Sequence, residues 1–163
     1  MPLRQAYSCL LVFIAFAVAF PLAPLFYLRR RAVVQSLFVP DRARRGPLLA
    51  FATLSTSLGA AALVFLNAPQ SLIAVLVSFA VLAGAMGVLN CMLKVSLHAA
   101  GVWAGWLILV LLCGSTAAWF IPLPLLVSWS RVALKAHTPG QVILGSGAGG
   151  TIAGLIFHCM TQG

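Results

Sequence analysis

Apolar residues in this chain run in long blocks separated by short polar or basic connections. Six blocks are readable, and each predicts a helix. They run from about Ser8 to Leu28, Pro47 to Leu66, Ser71 to Met92, Ser96 to Gly114, Thr116 to Trp129 and Gln141 to Met160. About 20 apolar helical residues cross the roughly 30 Å hydrocarbon core of a bilayer. Pro21 and Pro24 predict a kink in the first block. Asn67-Ala68-Pro69 predicts a tight turn. The fifth block is short and holds Pro122 and Pro124. The expected fold is all-α: a polytopic membrane protein of about six transmembrane helices in one bundle. Residues 1–163 read as a single transmembrane domain, with a basic connection at 29–46 and polar connections at 93–98 and 130–141.

Composition narrows the class further. Of 163 residues, 63% are hydrophobic and 7% charged, and the mean hydropathy is +1.11. A water-soluble domain of this size would lack polar residues to cover its surface. The first block is longer than the ~7–15 residues of a signal-peptide core, and Arg29, Arg30 and Arg31 follow it where a small-residue cleavage site would stand. It therefore reads as a membrane helix. The four cysteines form no CxxC pair and read as small buried hydrophobes.

The net charge is +9, with Asp41 as the only acidic residue. The connections after blocks one, three and five hold Arg29, Arg30, Arg31, Arg42, Arg44, Arg45, Lys94, Arg131 and Lys135, and only Arg4 falls on the other side. The positive-inside rule places the basic face in the cytoplasm and both termini opposite. A basic face also suits anionic lipid headgroups. Little soluble surface exists for nucleic acid, so none is expected as a partner. A single carboxylate argues against a divalent metal site, which needs several oxygen ligands. No metal and no other cofactor is expected. Gly145-Ser-Gly147-Ala-Gly149-Gly150 has the spacing of a nucleotide-binding loop, but no strand precedes it. Close helix packing explains it better, as it does Gly101 with Gly105 and Gly150 with Gly154.

Candidate chemistry gathers on the basic face. His98 follows Lys94-Val-Ser96-Leu, and His137 follows Ser130-Arg131 by a five-residue gap. Both lie near predicted helix N-termini, which favour phosphate. With Lys94, Arg131 and arginines of the 42–45 cluster they make a set rich in donors and cations. Such residues also serve simply to anchor helices at the headgroup level. His158 lies near the opposite face and the terminus, and reads as incidental.

Ser130-Arg131-x5-His137 resembles the third signature of the type 2 phosphatidic acid phosphatase family, Ser-Arg-x5-His-x3-Asp. Ser96-Leu97-His98 resembles the second, Pro-Ser-Gly-His, with Val95 and Leu97 in place of proline and glycine. Arg44-Arg45-Gly46-Pro47 resembles the end of the first, Lys-x6-Arg-Pro, without its lysine; Lys94 is the residue that would supply that charge. The resemblance covers residues from about 37 to 155. It implies a six-helix layout and a metal-independent hydrolysis of a lipid phosphate or isoprenoid (di)phosphate. His137 would be the nucleophile and form a phosphohistidine, and His98 the general acid and then base. Arg131, Lys94, Arg44 or Arg45 and the Ser96 hydroxyl would hold the phosphoryl oxygens, with Ser130 and Gln141 in orienting roles. Partners would be the lipid phosphate and membrane lipids.

Gln141 stands where the family has aspartate. A glutamine carbonyl can accept the same hydrogen bond from His137 but brings no negative charge. Three arrangements are open: Gln141 orients His137, Asp41 folds over to do so, or the protein binds lipid phosphates without hydrolysing them. A binding or scaffold protein on the same fold is thus the alternative to an enzyme. A transporter subunit would place polar residues along several helix faces at mid-membrane depth, and the chain offers mostly Ser and Thr there, such as Ser55, Thr56 and Ser57.

Overall fold

The computed structural model describes residues 2–31 and 42–162, the side chains of 42–44 excepted. Asp41 and the Arg44 side chain, both named above, lie outside the described residues. The elements in order are α1 (Leu3–Ile14), a π turn (Ala15–Ala19), α2 (Phe20–Arg30), α3 (Arg42–Phe65), α4 (Gln70–Met92), α5 (Leu97–Cys113), α6 (Ser115–Ala118), α7 (Pro122–Ala133) and α8 (Pro139–Gln162). No strand occurs among the described residues. Four helical stretches are long and apolar enough to cross a membrane: Leu3–Arg30, Arg45–Phe65, Gln70–Met92 and Pro139–Gln162; α5 is a shorter apolar helix. Many large apolar side chains are exposed on the outer faces, among them Leu11, Phe65 and Ile143. That surface suits hydrocarbon and not water. The chain is an all-α polytopic membrane protein.

The first span runs unbroken, and its irregularity lies one turn before the prolines. Pro21 has no N–H to give to Ala17, and the preceding turn opens to π spacing at Ala15–Ala19. The Phe16 carbonyl there accepts a hydrogen bond from Ser55 Oγ of α3 at 3.3 Å. Ser55 is buried, so the pair satisfies two polar groups away from water. Gly59, one turn along α3, has no room for a Cβ because the Phe16 side chain sits against it.

Two apolar clusters share α4. Cys9, Ala60, Leu63 and Leu76 join α1, α3 and α4, while Leu82, Met86, Ala100, Ala104, Ile108, Ala153 and Phe157 join α4, α5 and α8. At one end, Gln5 Nε2 donates to the Leu66 carbonyl (2.7 Å), and Gln70 Nε2 donates to the Met160 carbonyl. The turn at Asn67-Ala68-Pro69 forms as the sequence predicts, with Asn67 in the left-handed region. The connections bearing Lys94 and His137 lie at the other end.

The fifth block departs from expectation. It is a short helix α6, a break at 119–121, and then α7. Pro122 lacks an N–H and suits the first turn of a helix, so it starts α7 where a continuous helix was expected. At twelve residues α7 is about 18 Å long, so α6 and α7 together take the place of the expected fifth crossing. The helix also ends later than expected, at Ala133. Ser130 and Arg131 belong to its last turn and not to the connection, which shrinks to 134–138. Trp103 Nε1 of α5 donates to Ser128 Oγ at 3.0 Å and ties α7 to its neighbour.

Candidate active site

The two histidine-bearing segments meet because α5 and α8 cross in close contact. A Cβ at Gly145 would stand 2.5 Å from the Ser96 carbonyl oxygen, and one at Gly149 would collide with the Ala100 carbonyl. The pairs Gly145/Gly149 and Ser96/Ala100 each sit four residues apart, so each lines one helix face. The Ser96 N–H donates to the Gln141 carbonyl at 3.2 Å, across the same junction. Gly154 also has no room for a Cβ, because the Leu107 side chain occupies the space, while Gly105 and Gly150 meet only a single side-chain atom at 4.0 Å. Gly101, read from sequence as a packing glycine, meets nothing within 4 Å.

The turn from Arg131 to His137 has a defined local cause. Lys135 N–H donates to the Val132 carbonyl and Ala136 N–H to the Arg131 carbonyl, with Lys135 at φ 54°. This is a Schellman helix end carrying lysine where glycine is commonest. His137 N–H adds a second bond to the Arg131 carbonyl at 3.2 Å. The five-residue gap is therefore the length that folds the chain back and returns His137 to Arg131. Ser130 Oγ donates to the Val127 carbonyl (2.7 Å) and accepts from Arg131 Nε and Nη2, both at 3.2 Å. The hydroxyl thus holds the guanidinium at the end of α7.

Helix α8 then begins with a capping box, Thr138-Pro139-Gly140-Gln141. Gln141 N–H donates to Thr138 Oγ1 (3.4 Å), and Thr138 N–H donates to Gln141 Oε1 (3.2 Å). The same Oε1 lies 3.2 Å from His137 Nδ1. A backbone N–H can only donate, so the atom facing Thr138 must be the amide oxygen and not the NH2. An oxygen accepts, so His137 carries its proton on Nδ1, and Nε2 keeps its lone pair. Gln141 therefore joins the whole site: its main chain holds Ser96, and its side chain holds both Thr138 and His137. Thr138 was not singled out from the sequence, although Thr-x-x-Gln is a readable capping-box signal.

Helix α5 begins at Leu97, with Ser96 as its N-cap. Ser96 is fully buried, and its hydroxyl accepts from the Ala99 N–H at 3.4 Å. The sequence reading gave this hydroxyl to a phosphate; the structure gives it to the helix cap, where it supports the turn that carries His98. His98 itself is exposed. The charges of Arg131, His137 and Arg45 act on it. His137 is half-buried, and that burial holds its imidazole below the ordinary value of about 6.5. The Gln141 bond pulls the other way, while Arg45, Lys94 and Arg131 add to the lowering. So the charges of Arg45, from the start of α3, and of Arg131 reach both imidazoles, and that of Lys94 reaches His137. Lys94 is exposed. Across this end of the bundle the arrangement offers one imidazole held at Nδ1 by Gln141, a second imidazole, and three cations able to balance a phosphoryl group.

The sequence model of the PAP2 superfamily matches residues 90–163. The matched stretch contains Lys94, Ser96, His98, Ser130, Arg131, His137 and Gln141, while Arg45 lies outside it. Searches of curated proteins and of solved structures gave no match. Over residues 90–163, the part that carries both histidines, this chain is similar to the PAP2 superfamily.

Proposed function

We propose that this protein is a membrane-embedded phosphatase that hydrolyses a lipid phosphate through a phosphohistidine on His137. That superfamily is generally one of phosphatases acting on phosphate esters. The observation that carries the proposal is the tethering of His137 Nδ1 by Gln141 Oε1, which leaves the Nε2 lone pair as the nucleophile. Nε2 attacks phosphorus, the bond to the leaving oxygen breaks, and His98 delivers a proton to that oxygen. The bound phosphate dianion supplies the counter-charge that lets His98 hold its proton. His98, now neutral, takes a proton from water, the water oxygen attacks phosphorus, and the N–P bond breaks to release inorganic phosphate. Arg131, Lys94 and Arg45 balance charge on the phosphoryl oxygens throughout. Metal plays no part in these steps. The site lies at one end of the bundle, where a lipid presents its headgroup with its tail still in the bilayer. The excess of basic residues supports a cytoplasmic position for that end.

Phosphate release by the purified protein from a panel of lipid phosphates, isoprenoid and glycerol-based, tests the proposal. Turnover on at least one substrate, unchanged by a metal chelator, is expected. No turnover on any of them, or turnover lost on chelation, contradicts it.

Gln141 is uncharged, and that favours a second reading, a protein that binds lipid phosphates without turning them over. That reading expects headgroup binding to survive His137→Ala and to fall with Arg131→Ala, with no phosphate released by the wild type.

Two further outcomes follow from the geometry. In Ser130→Ala the guanidinium loses the Ser130 hydroxyl as an acceptor, and kcat/KM should fall about 10- to 100-fold, mostly through KM, given the ~1.5–3 kcal/mol of a charge-assisted hydrogen bond. Unchanged KM would show that Ser130 does not hold Arg131 for substrate. Gln141→Glu keeps the capping box, since glutamate serves there equally, and adds a negative charge against His137. An opposite charge at this range raises the imidazole pKa by about 1–3 units. In the wild type, His137 should stay neutral below pH 6.5 and protonate only as pH falls further; in Gln141→Glu it should protonate at higher pH. An NMR titration of the His137 ring reads both directly, and identical titrations would contradict the assigned contact.

A further inference from the structure

A groove of about 550 Å³ runs between α3 and α4 and opens sideways from the bundle. It is lined on α3 from Gly46 through Ala50 to Ser57, and on α4 by Ala83, Gly87 and Cys91 among others. Its lining is almost wholly apolar. Two of its polar side chains turn their donors back onto their own helices: Thr53 Oγ1 donates to the Leu49 carbonyl (2.9 Å), and Cys91 Sγ donates to the Gly87 carbonyl (3.4 Å).

The glycines here differ from those at the α5–α8 crossing. A Cβ at Gly84 or Gly87 would meet its nearest neighbour at an ordinary 3.8 Å, and one at Gly46 would meet nothing within 4 Å. Small residues along this groove therefore keep a space open, whereas Gly145 and Gly149 let two backbones touch.

The groove begins beside the site. Gly46 directly follows Arg45, whose charge acts on both His98 and His137. From there to Ser57 is eleven residues, roughly 16 Å along the helix. A space of this volume over that length has a cross-section of a few tens of Å². One hydrocarbon chain laid lengthwise matches that section, whereas a helix about 10 Å across would cover the groove without filling it.

We infer that this groove holds the tail of a phosphate ester bearing a single long hydrocarbon chain, with the phosphate at Arg45 and the chain running down α3 toward Ser57. The inference rests on the phosphatase reading for the headgroup, and the groove makes the enzyme selective for chain number and length. Bulk placed at Ala50 blocks the groove near its mouth, and bulk at Ser57 blocks only its far end.

The test uses the full-length protein in lipid bilayers and a straight-chain alkyl phosphate with a photoreactive diazirine at mid-chain. Labelling should concentrate within residues 46–57 and 83–91 and fall severalfold in Ala50→Trp. In phosphate release, Ala50→Trp should lower kcat/KM for long-chain phosphates about tenfold, the cost of about two methylenes left unburied. A short-chain, water-soluble phosphate should be hydrolysed as by the wild type. Ser57→Trp should affect only the longest chains. Labelling spread over the outer faces of the helices, or cross-links between two copies at α3 and α4, overturns the inference. Wild-type protein that labels in the groove but releases no phosphate would leave the tail site standing and overturn the phosphatase reading. Phosphate release with scattered labelling would do the reverse.

Discussion

Replacing His137 with alanine should lower phosphate release by roughly 10⁴-fold or more, the scale on which removing a nucleophile abolishes covalent catalysis elsewhere. The protein should remain folded. Gln141 Oε1 loses one of two partners but keeps the Thr138 N–H, and the capping box that starts α8 survives. The Ser96 bond to the Gln141 main chain does not involve the imidazole at all. Thermal unfolding in detergent should therefore match the wild type, which separates lost chemistry from lost structure. His98→Ala should lose less, about 10²–10⁴-fold, as expected for general acid–base assistance. Substrates with good leaving groups should partly recover in His98→Ala and not in His137→Ala. A His137→Ala protein within tenfold of wild type would remove the imidazole from the mechanism.

Gly149→Ala should destabilise the bundle by about 1–3 kcal/mol, the usual cost of added bulk in a packed interior, and should scatter the site. The new Cβ meets backbone at Ala100, which cannot rotate away as a side chain can. Helices α5 and α8 must part, and His98 and His137 part with them. Gly147 provides the control, because a Cβ there meets nothing within 4 Å. Gly147→Ala should be neutral or slightly stabilising, since alanine favours helix over glycine by roughly 0.5–1 kcal/mol. Melting temperatures and phosphate release measured on both variants check this. Equal behaviour would mean that the Gly149 contact does not hold the crossing.

Much of the fold was readable in the sequence because a bilayer demands long apolar helices and little else does. The blocks ending at Leu66, Met92 and Met160 form nearly as expected, and Asn67-Ala68-Pro69 turns as its residues suggest. Hydropathy could not show that Pro122 starts a helix, because an apolar run reads the same on either side of a break. It was equally silent on the π turn, where the Phe16 carbonyl is met by Ser55 from another helix. Glycine spacing pointed to close packing but not to the partner face, so Gly101 was misplaced while Gly145 and Gly149 proved to be the contacts. At the site, the pairing of Ser130 with Arg131 and of His137 with Gln141 follows from local spacing and was legible. The convergence of Arg45 with Lys94 and Arg131 depends on three separate chain segments and needed the fold. The role of Ser96 changed because its depth beneath α8 has no trace in the sequence. Gln141, which departs from the third signature, turns out to be a hub: as N3 of a capping box it is held rigid, so it can fix the His137 tautomer without a charge.

The most direct test of this account is to trap the intermediate. Purified protein in bilayers would be mixed with a lipid phosphate labelled at phosphorus and quenched in base, where a phosphohistidine survives, and the modified residue then located by mass spectrometry. The account predicts one labelled phosphoryl group on His137 in the wild type, absent from His137→Ala and accumulating in His98→Ala. Turnover without a label on His137, or a label on another residue that persists in His137→Ala, would contradict it.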